Sequence, residues 1–235
     1  MAPELLAVTF RTPDPQRDAK FWGAVLDRRA ETDRGGVVLA GGGGQVGLRF
    51  VAGPARGDKE PLLHLHLSEA GRSQNETIAA CLRFGARLRG SGHVREGEIA
   101  YLSDVAGGDF CVIEGGNSYL AGAGPLGEVT CDGTRAVGQF WSRALGWPLV
   151  WEEGDETAIQ SPAGGTKLAW SGDPVDPNTD RERQYFVLTV AATQLEPEVD
   201  RLITLGASDR AVGDRGDVTL RDPDGTAFVV RTTAG

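Results

Sequence analysis

A seven-residue stretch with a Phe-Trp pair occurs twice in the chain, at residues 20–26 and 139–145. Phe140 follows Phe21 by 119 positions, about half of the 235 residues. In both copies apolar side chains recur at intervals of three and four, the period of one face of an α-helix. A repeat of this length constrains the fold strongly, because both copies have to form the same structure. We therefore predict two similar halves, each with a buried Phe-Trp helix.

The residues around each Phe-Trp helix predict the order strand, helix, strands. Val8 and Phe10 alternate with polar residues as in a half-buried strand, and Asp14-Pro15 has the residue types of a helix N-terminus. The same order begins again at residues 62–68, within the first half. We therefore predict an α+β protein of four βαβββ modules, each about 55–60 residues long.

A polar, glycine-rich segment divides the halves. We assign residues 1–116 to domain 1 and residues 124–235 to domain 2, with two modules each, and residues 117–123 to the linker. The four glycines at 41–44 are interpreted as a hairpin turn, since no Lys-Ser/Thr pair or helix start follows, as a phosphate-binding loop requires.

Two capping boxes are predicted from sequence spacing. Ser73 precedes Glu76 by three positions, and Thr193 precedes Glu196 in the same way. A hydroxyl followed three residues later by a glutamate caps the first turn of a helix. Both pairs therefore predict helix starts, one in each half.

Charge and hydropathy exclude two classes of partner. The net charge is −9, and the sequence has no basic cluster for nucleic acid phosphates. It has no run of 18 apolar residues to cross a membrane, and we expect no signal peptide. The three cysteines lack CxxC spacing, which favours a reducing, cytoplasmic setting over a disulfide framework. Whether the protein is a monomer or a homodimer stays open.

The strand predicted at residues 62–68 carries two of the three histidines. Leucines at alternate positions share one face of this strand, and His64 and His66 share the other. We expect the leucines to pack on helices, since a shift of one residue would place both imidazoles in the core. His93, the third histidine, lies in a polar, glycine-rich loop and is interpreted as solvated.

Three features resemble the vicinal oxygen chelate superfamily, also called the glyoxalase/bleomycin-resistance/dioxygenase superfamily. They are the repeated strand and FWxxxL helix, the HLHL strand at residues 64–67, and the closing segments DVAGGDFCVI at 104–113 and DPDGTAFVV at 222–230. Their order over nearly the whole chain is most similar to the glyoxalase-like subgroup. The resemblance implies βαβββ modules, two per domain, whose curved sheets enclose a cavity.

Enzymes of this superfamily usually hold a divalent metal in that cavity. The resemblance places the ligands on the first strand of a module and after the Phe of a closing strand. Here the matching positions are Ala7, Leu62, Leu126, Arg183, Cys111 and Val229. Ala, Leu and Val have no ligand atom, and Arg stays protonated. No cofactor is therefore predicted at the usual site, although a divalent metal elsewhere stays possible.

His64, His66 and Cys111 are the residues that remain for chemistry in domain 1. Cys111 takes the usual Glu position of the family, so a site of these three would suit zinc. Alternatively, one histidine is a general base, or both form a hydrogen-bonded polar wall. Thr9 and Arg11, on the matching strand, are expected to line the same cavity. Arg11 would there bind an anionic ligand group, or else extend into solvent.

Domain 2 has a different set of candidate residues. Glu128 and Thr130 should face its cavity by strand alternation, and Tyr185 takes the place of His64. Trp151 and Trp170 lie on predicted strands, where a Trp packs in the core more often than it contacts a ligand. An aromatic-lined cavity with one or two polar groups nevertheless suits a flat organic ligand. Another interpretation is that one domain is structural only.

The leading hypothesis is a cytoplasmic protein that binds a small organic molecule. It is either a sequestering or resistance protein, or a metal-independent enzyme. The alternative is a metal-dependent lyase, isomerase or dioxygenase with an atypical site around His64 and His66. In either enzyme the two histidines are the catalytic candidates.

Overall fold

The computed structural model describes residues 2–55, 57–90 and 97–233. The predicted α+β fold of four βαβββ modules is confirmed. His93 lies outside the described residues. Module 1 consists of β1 (Glu4–Thr12), α1 (Pro15–Leu26), β2 (Ala30–Asp33), β3 (Gly36–Leu39) and β4 (Gly47–Ala52). After β5 (Glu60–Pro61), module 2 consists of β6 (Leu63–Leu67), α2 (Gln74–Arg83), β7 (Arg87–Leu88), β8 (Ala100–Ser103) and β9 (Asp109–Val112).

The second half repeats this order. Module 3 consists of β10 (Leu126–Cys131), α3 (Arg135–Leu145), β11 (Leu149–Glu153), β12 (Glu156–Gln160) and β13 (Lys167–Trp170). After β14 (Thr179–Asp180), module 4 consists of β15 (Gln184–Val190), a 3₁₀ turn (Ala192–Gln194), α4 (Leu195–Leu205), β16 (Ser208–Val212), β17 (Val218–Arg221) and β18 (Ala227–Thr232).

The modules form two eight-stranded sheets, each with one module from each half. Sheet 1 has the order β16-β17-β18-β15-β1-β4-β3-β2, and sheet 2 the order β11-β12-β13-β10-β6-β9-β8-β7. The first strands of the modules meet antiparallel at the centre of each sheet, β1 with β15 and β10 with β6. The short strands β5 and β14 join the two intermodule connections.

The choice of partner module differs from the expectation that modules 1 and 2 enclose one cavity. Module 1 pairs with module 4, and module 2 with module 3. The first strands of all four modules have the same kind of alternating pattern. Alternation therefore determines which face of each strand is buried, but not which two first strands pair with each other. The boundaries at residues 116 and 124 remain a prediction about the halves, and neither sheet is confined to one half.

The two Phe-Trp helices connect the sheets. The four aromatic residues of the pairs are at most 3% exposed, as predicted. Helix α1 packs on β3 and β4 of sheet 1, yet Trp22 lies 5.0 Å from the ring of Phe110 in sheet 2. Helix α3 packs on β12 and β13 of sheet 2, and Trp141 lies 5.0 Å from Phe228 in sheet 1. One hydrophobic core therefore spans both sheets.

Local sequence signals set one predicted helix start correctly and another incorrectly. The capping box of Ser73 and Glu76 is present at the start of α2. The prediction at Thr193 and Glu196 is wrong, because a 3₁₀ turn occupies this position and α4 begins at Leu195 without a side-chain cap. A proline in the first turn of α4 needs no N–H partner there, which is compatible with the later start.

The glycine-rich turn between β3 and β4 contacts the turn between β12 and β13. The hairpin predicted across residues 41–44 is present. A Cβ on Gly44 would lie 2.2 Å from the oxygen of Gly164, and one on Gly165 would lie 2.1 Å from the oxygen of Gly44. The backbone N–H of Thr166 donates to the carbonyl oxygen of Gly44 over 3.1 Å. The glycines therefore let the backbones of the two turns come into contact.

Ion pairs connect strands of sheet 1 on its helix-free face, the face opposite its helices. Asp33 on β2 accepts from Arg49 over 2.7 Å and from Arg231 on β18 over 2.8 Å. Arg34, next to β2, pairs with Asp217, next to β17, over 2.8 Å. Burial alone would raise the pKa of Asp33, but the two arginines outweigh burial and lower it. The pairs Arg231–Asp33 and Arg34–Asp217 therefore connect the module 1 end of sheet 1 with the module 4 end.

Candidate functional site

The helix-free face of sheet 2 collects the polar residues that strand alternation predicted. In β6 the leucines are buried in the core, and His64 and His66 alternate with them. The neighbouring β10 places Glu128 opposite His66 and Thr130 opposite His64. On the other side of β6, Cys111 of β9 lies beside His66. The candidate site therefore combines residues from both predicted domains.

His66 and Glu128 form the centre of this site. Nδ1 of His66 lies 2.8 Å from Oε2 of Glu128. The hydroxyl of Thr130 donates to the same oxygen over 2.7 Å, and the hydroxyl of Tyr119 donates to Oε1 over 2.6 Å. An imidazole that keeps its proton on Nδ1 for this carboxylate has its lone pair on Nε2. The geometry therefore favours one tautomer of His66.

The surroundings keep Glu128 ionised and Tyr119 neutral. Burial alone would raise the pKa of Glu128, but hydrogen bonds and charge from His66, with hydrogen bonds from Tyr119 and Thr130, outweigh burial and lower it. Burial raises the pKa of Tyr119, and the carboxylates of Glu128 and Glu156 raise it further. Tyr119 is thus a hydrogen-bond donor to a carboxylate at neutral pH.

His64 and Cys111 form a neutral pair. Nε2 of His64 lies 3.0 Å from Sγ of Cys111. Burial lowers the pKa of His64 to about 4, and the charge of His66 acts in the same direction. Burial raises the pKa of Cys111 to about 12, and the carboxylate of Asp109 adds to this. At neutral pH an uncharged thiol therefore meets an uncharged imidazole, and a cavity of about 410 Å³ adjoins His64.

Tyr119 belongs to the segment that was predicted as a linker, and its place in the site was missed. Nζ of Lys167 lies 3.8 Å from the centroid of the Tyr119 ring and donates to the Tyr119 carbonyl over 2.5 Å. Leu120 and Ala123 of the same segment are buried in a small cluster with Cys111. The segment therefore covers part of sheet 2. A tyrosine and a leucine in an otherwise small and polar segment were the signal for such a contact.

A cavity of about 350 Å³ opens beside His66. Tyr119, Trp151 and Glu156 lie on its wall. Trp151 is 41% exposed, and its ring centroid lies 5.7 Å from that of Tyr119. Trp170 borders the same cavity but is buried in the core. Of the two tryptophans predicted to contact a ligand, only Trp151 thus presents an exposed ring.

Thr9, Arg11 and Tyr185 lie on sheet 1, away from the histidines. The prediction that Thr9 and Arg11 share a cavity with His64 and His66 is therefore wrong, because modules 1 and 2 belong to different sheets. Thr9 is fully buried, and its hydroxyl has no hydrogen-bond partner in the described part of the chain. Arg11 lies over the ring of Tyr185, 5.5 Å from its centroid.

Comparison with known proteins now identifies the family. A sequence profile described as the glyoxalase-like domain matches residues 7–113 and 128–231. The chain belongs to the glyoxalase-like domain family. The resemblance to the vicinal oxygen chelate superfamily is thereby confirmed.

Two solved structures share the fold of this glyoxalase-like protein. A Bacillus subtilis protein described as a dioxygenase aligns with a TM-score of 0.64 and 16% identity, over 100% of this chain and 86% of that chain. Glyoxalase I from Zea mays aligns with a TM-score of 0.64 and 14% identity, over 97% and 92%. Identities this low show the fold alone. A comparison with curated proteins gave no match. Among the described residues, no helix has the length and apolar character needed to cross a membrane.

The strand registers show which positions of this glyoxalase-like protein correspond. Ala7 pairs with Val187 in sheet 1, and Glu128 pairs with His66 in sheet 2. Glu128 is therefore the counterpart of Ala7, and the assignment of Leu126 is wrong by two residues. Ala7 lies 14 positions before Phe21, whereas Glu128 lies only 12 positions before Phe140. Counting back from the second Phe by the spacing of the first copy therefore gives Leu126 instead of Glu128.

The same registers correct the other two first-strand positions. His66 and Val187, rather than Leu62 and Arg183, occupy them in modules 2 and 4. Leu62 and Arg183 were assigned without knowledge of the strands that pair with β6 and β15, and those pairs fix the register. His66 therefore occupies a position at which the family usually places a metal ligand, and Glu128 occupies the position opposite.

The residues at these positions do not fit the metal set of the family. In sheet 1 the four registered positions hold Ala7, Gly47, Val187 and Val229, which have no ligand atom. In sheet 2 they hold Glu128, Lys167, His66 and Cys111. The ammonium group of Lys167 cannot coordinate a cation, and Glu128 already accepts three hydrogen bonds.

Proposed function

We propose that this glyoxalase-like protein binds a small organic molecule beside His66 and acts on it by general-base chemistry, without the usual metal of the family. The observation that carries the proposal is the 2.8 Å contact between His66 Nδ1 and Glu128 Oε2 at the cavity wall. A carboxylate on Nδ1 orients the imidazole so that Nε2 accepts a proton. Nε2 has no hydrogen bond in the described part of the chain, which leaves it available to a ligand.

The neighbouring residues would support this base. Glu128 stabilises the imidazolium that forms when His66 accepts a proton. Tyr119 and Thr130 hold Glu128 in place, and Trp151 offers an exposed ring to a flat ligand. The cavity volume of about 350 Å³ is in the range of small-molecule sites. A protein that only sequesters its ligand would use the same cavity, so turnover has to be measured.

A chromogenic probe tests for the base. In 5-nitrobenzisoxazole, a base removes the C3 proton, the N–O bond breaks, and a coloured nitrophenolate forms. We expect the protein to exceed the buffer rate, H66N to lose this excess, and E128Q to retain about a tenth of it or less. The matched control is H64N, because His64 contacts Cys111 rather than the carboxylate. An unchanged rate in H66N contradicts the base, and ligand binding without any turnover favours sequestration.

A second candidate is a metal-dependent lyase, isomerase or dioxygenase reaction at His64, His66 and Cys111. One potential ligand atom of each residue lies within 4.8 Å of the others. Two imidazoles and a thiolate suit zinc, and Glu128 on Nδ1 would orient His66 as a ligand. A metal would first have to displace the thiol proton of Cys111, whose pKa burial raises.

Metal analysis separates the two candidates. One equivalent of zinc, iron, nickel or manganese in the wild type, absent from C111S, would favour the metal site and contradict the metal-independent proposal. A thiolate-to-cobalt absorption band after cobalt loading, lost in C111S, would have the same meaning. C81S is the matched control, because Cys81 is a buried cysteine of α2 outside this cluster. Substoichiometric metal with a base rate that persists in chelator supports the first candidate.

We also propose a monomer in a reducing, cytoplasmic compartment. All three cysteines are free and buried, which supports the compartment. Both sheets are completed by modules of one chain, which supports the monomer. Sedimentation of the purified protein measures its mass, and a dimer would contradict the second part.

A further inference from the structure

The wall of the cavity beside His66 combines aromatic rings with negative charge. Trp151 presents an exposed ring, and Tyr119 contacts it edge-on. The carboxylates of Glu128 and Glu156 belong to the same wall. An electron-rich ring face beside a carboxylate attracts organic cations and disfavours anions.

Basic groups balance this negative charge only in part. Nζ of Lys167 is bound to the carbonyl of Tyr119 and lies over its ring, so it offsets the buried Glu128 without reaching the wall. Among the described residues of the wall, none is a lysine or an arginine. Glu156 makes no ion pair with any described residue and is exposed. A ligand in the cavity therefore meets Glu156 as an uncompensated carboxylate.

We infer that the ligand of this cavity is an aromatic amine that is protonated at neutral pH. The inference rests on the proposed function, because it assigns a ligand class to the same cavity. The ring of the ligand lies against Trp151, and its ammonium group reaches Glu156. An aromatic carboxylate of the same shape meets a wall on which the basic side chain among the described residues, His66, already lies 2.8 Å from the Glu128 carboxylate.

Three probes of similar shape and different charge test the ligand class. They are 2-naphthylmethylamine, 2-naphthalenemethanol and 2-naphthoate, which are cationic, neutral and anionic at pH 7. Isothermal titration calorimetry measures the affinity of each for the wild-type protein. We expect the amine to bind about tenfold or more tightly than the naphthoate, with the alcohol between them.

Matched variants locate the two contacts. E156Q keeps the shape of the side chain and should weaken amine binding about fivefold or more while leaving the alcohol unchanged. Its control is E152Q, because Glu152 is already paired with Arg135. W151A should weaken all three probes, whereas V150A, at an exposed neighbouring position of β11, should weaken none.

The outcomes separate the ligand class from the proposed function. Naphthoate affinity equal to or above that of the amine overturns the ligand class, and so does amine affinity that is the same in E156Q and the wild type. Either result leaves binding in the cavity intact. If no probe binds, or if W151A binds all three as the wild type does, the assignment of the cavity itself fails and the proposed function with it.

Discussion

His64 carries no charge at a pH where an ordinary histidine begins to accept protons. Its pKa is lowered to about 4 from 6.5, first by burial and then by the charge of His66. In the unfolded chain His64 takes up a proton below pH 6.5, whereas in the folded protein it does so only near pH 4. The unfolded state therefore binds more protons in this window, and the stability of the fold falls as the pH drops through it.

We predict that H64N removes this part of the pH dependence. A depressed pKa of this size corresponds to about 3 kcal/mol, fully present above pH 6.5 and lost towards pH 4. The free energy of unfolding in urea, measured for both proteins at pH 7, 5.5 and 4.5, shows the difference. Parallel pH curves for H64N and the wild type would show that His64 is not buried as described.

We predict that Y119F raises the pKa of Glu128. The variant loses the hydroxyl that donates to Glu128 Oε1 over 2.6 Å, which should cost about 1.5–3 kcal/mol of stability at pH 7. Glu128 stabilises the fold above its unfolded pKa and loses this effect as the pH falls, so the loss should begin at higher pH in Y119F. Y101F is the control, because Tyr101 is exposed on β8. Equal acid titrations in the two variants would contradict the role of Tyr119.

At the scale of elements, the sequence determines which face of a strand is buried better than it determines which strand pairs with it. Alternation in β6 is enough to bury the leucines and turn His64 and His66 to the helix-free face. It says nothing about whether β1 or β10 lies alongside, because that choice depends on the path of the whole chain. Contacts of the segment around Tyr119 were missed for the same reason, since no local period marks a segment that packs on a distant strand.

The contact between the β3–β4 turn and the β12–β13 turn gives a prediction at the scale of elements. G44A should cost about 3 kcal/mol or more, because its Cβ would lie 2.2 Å from the oxygen of Gly164. Gly44 and Gly43 both have positive φ, +82° and +58°, but nothing lies within 4 Å of a Cβ on Gly43. G43A therefore carries the backbone strain alone and should cost about 1–2 kcal/mol. Equal thermal unfolding of G44A and G43A would argue against the close contact.

At the scale of the whole molecule, neither half can complete a sheet by itself. Each sheet needs one module from residues before the Tyr119 segment and one from residues after it. The helices α1 and α3 add contacts between the sheets through Trp22 and Trp141. Folding of one half is therefore coupled to folding of the other.

We predict that the halves fold only together. Fragments 1–123 and 124–235, produced separately, should not form folded monomers, because the central edges of β1 and β6 would lack partners. Mixed and refolded together, they should form a one-to-one complex with the circular dichroism spectrum of the intact protein. Size-exclusion chromatography with mass measurement shows the complex. A folded monomer of either fragment would contradict the conclusion that each sheet needs one module from each half.

The pairing of modules 2 and 3 has a consequence for how this protein can be altered. Every strand of sheet 2 comes from one unbroken stretch, residues 63–170, whereas sheet 1 is assembled from both ends of the chain. The central stretch thus contains His66, Glu128 and Trp151, which line the cavity beside His66. This stretch could be replaced by the corresponding stretch of a relative. The junctions would lie in residues 53–62 and 171–183, which connect the two sheets. In such a chimera the ion pairs of Asp33 with Arg49 and Arg231 stay intact, because all three residues lie outside the exchanged stretch.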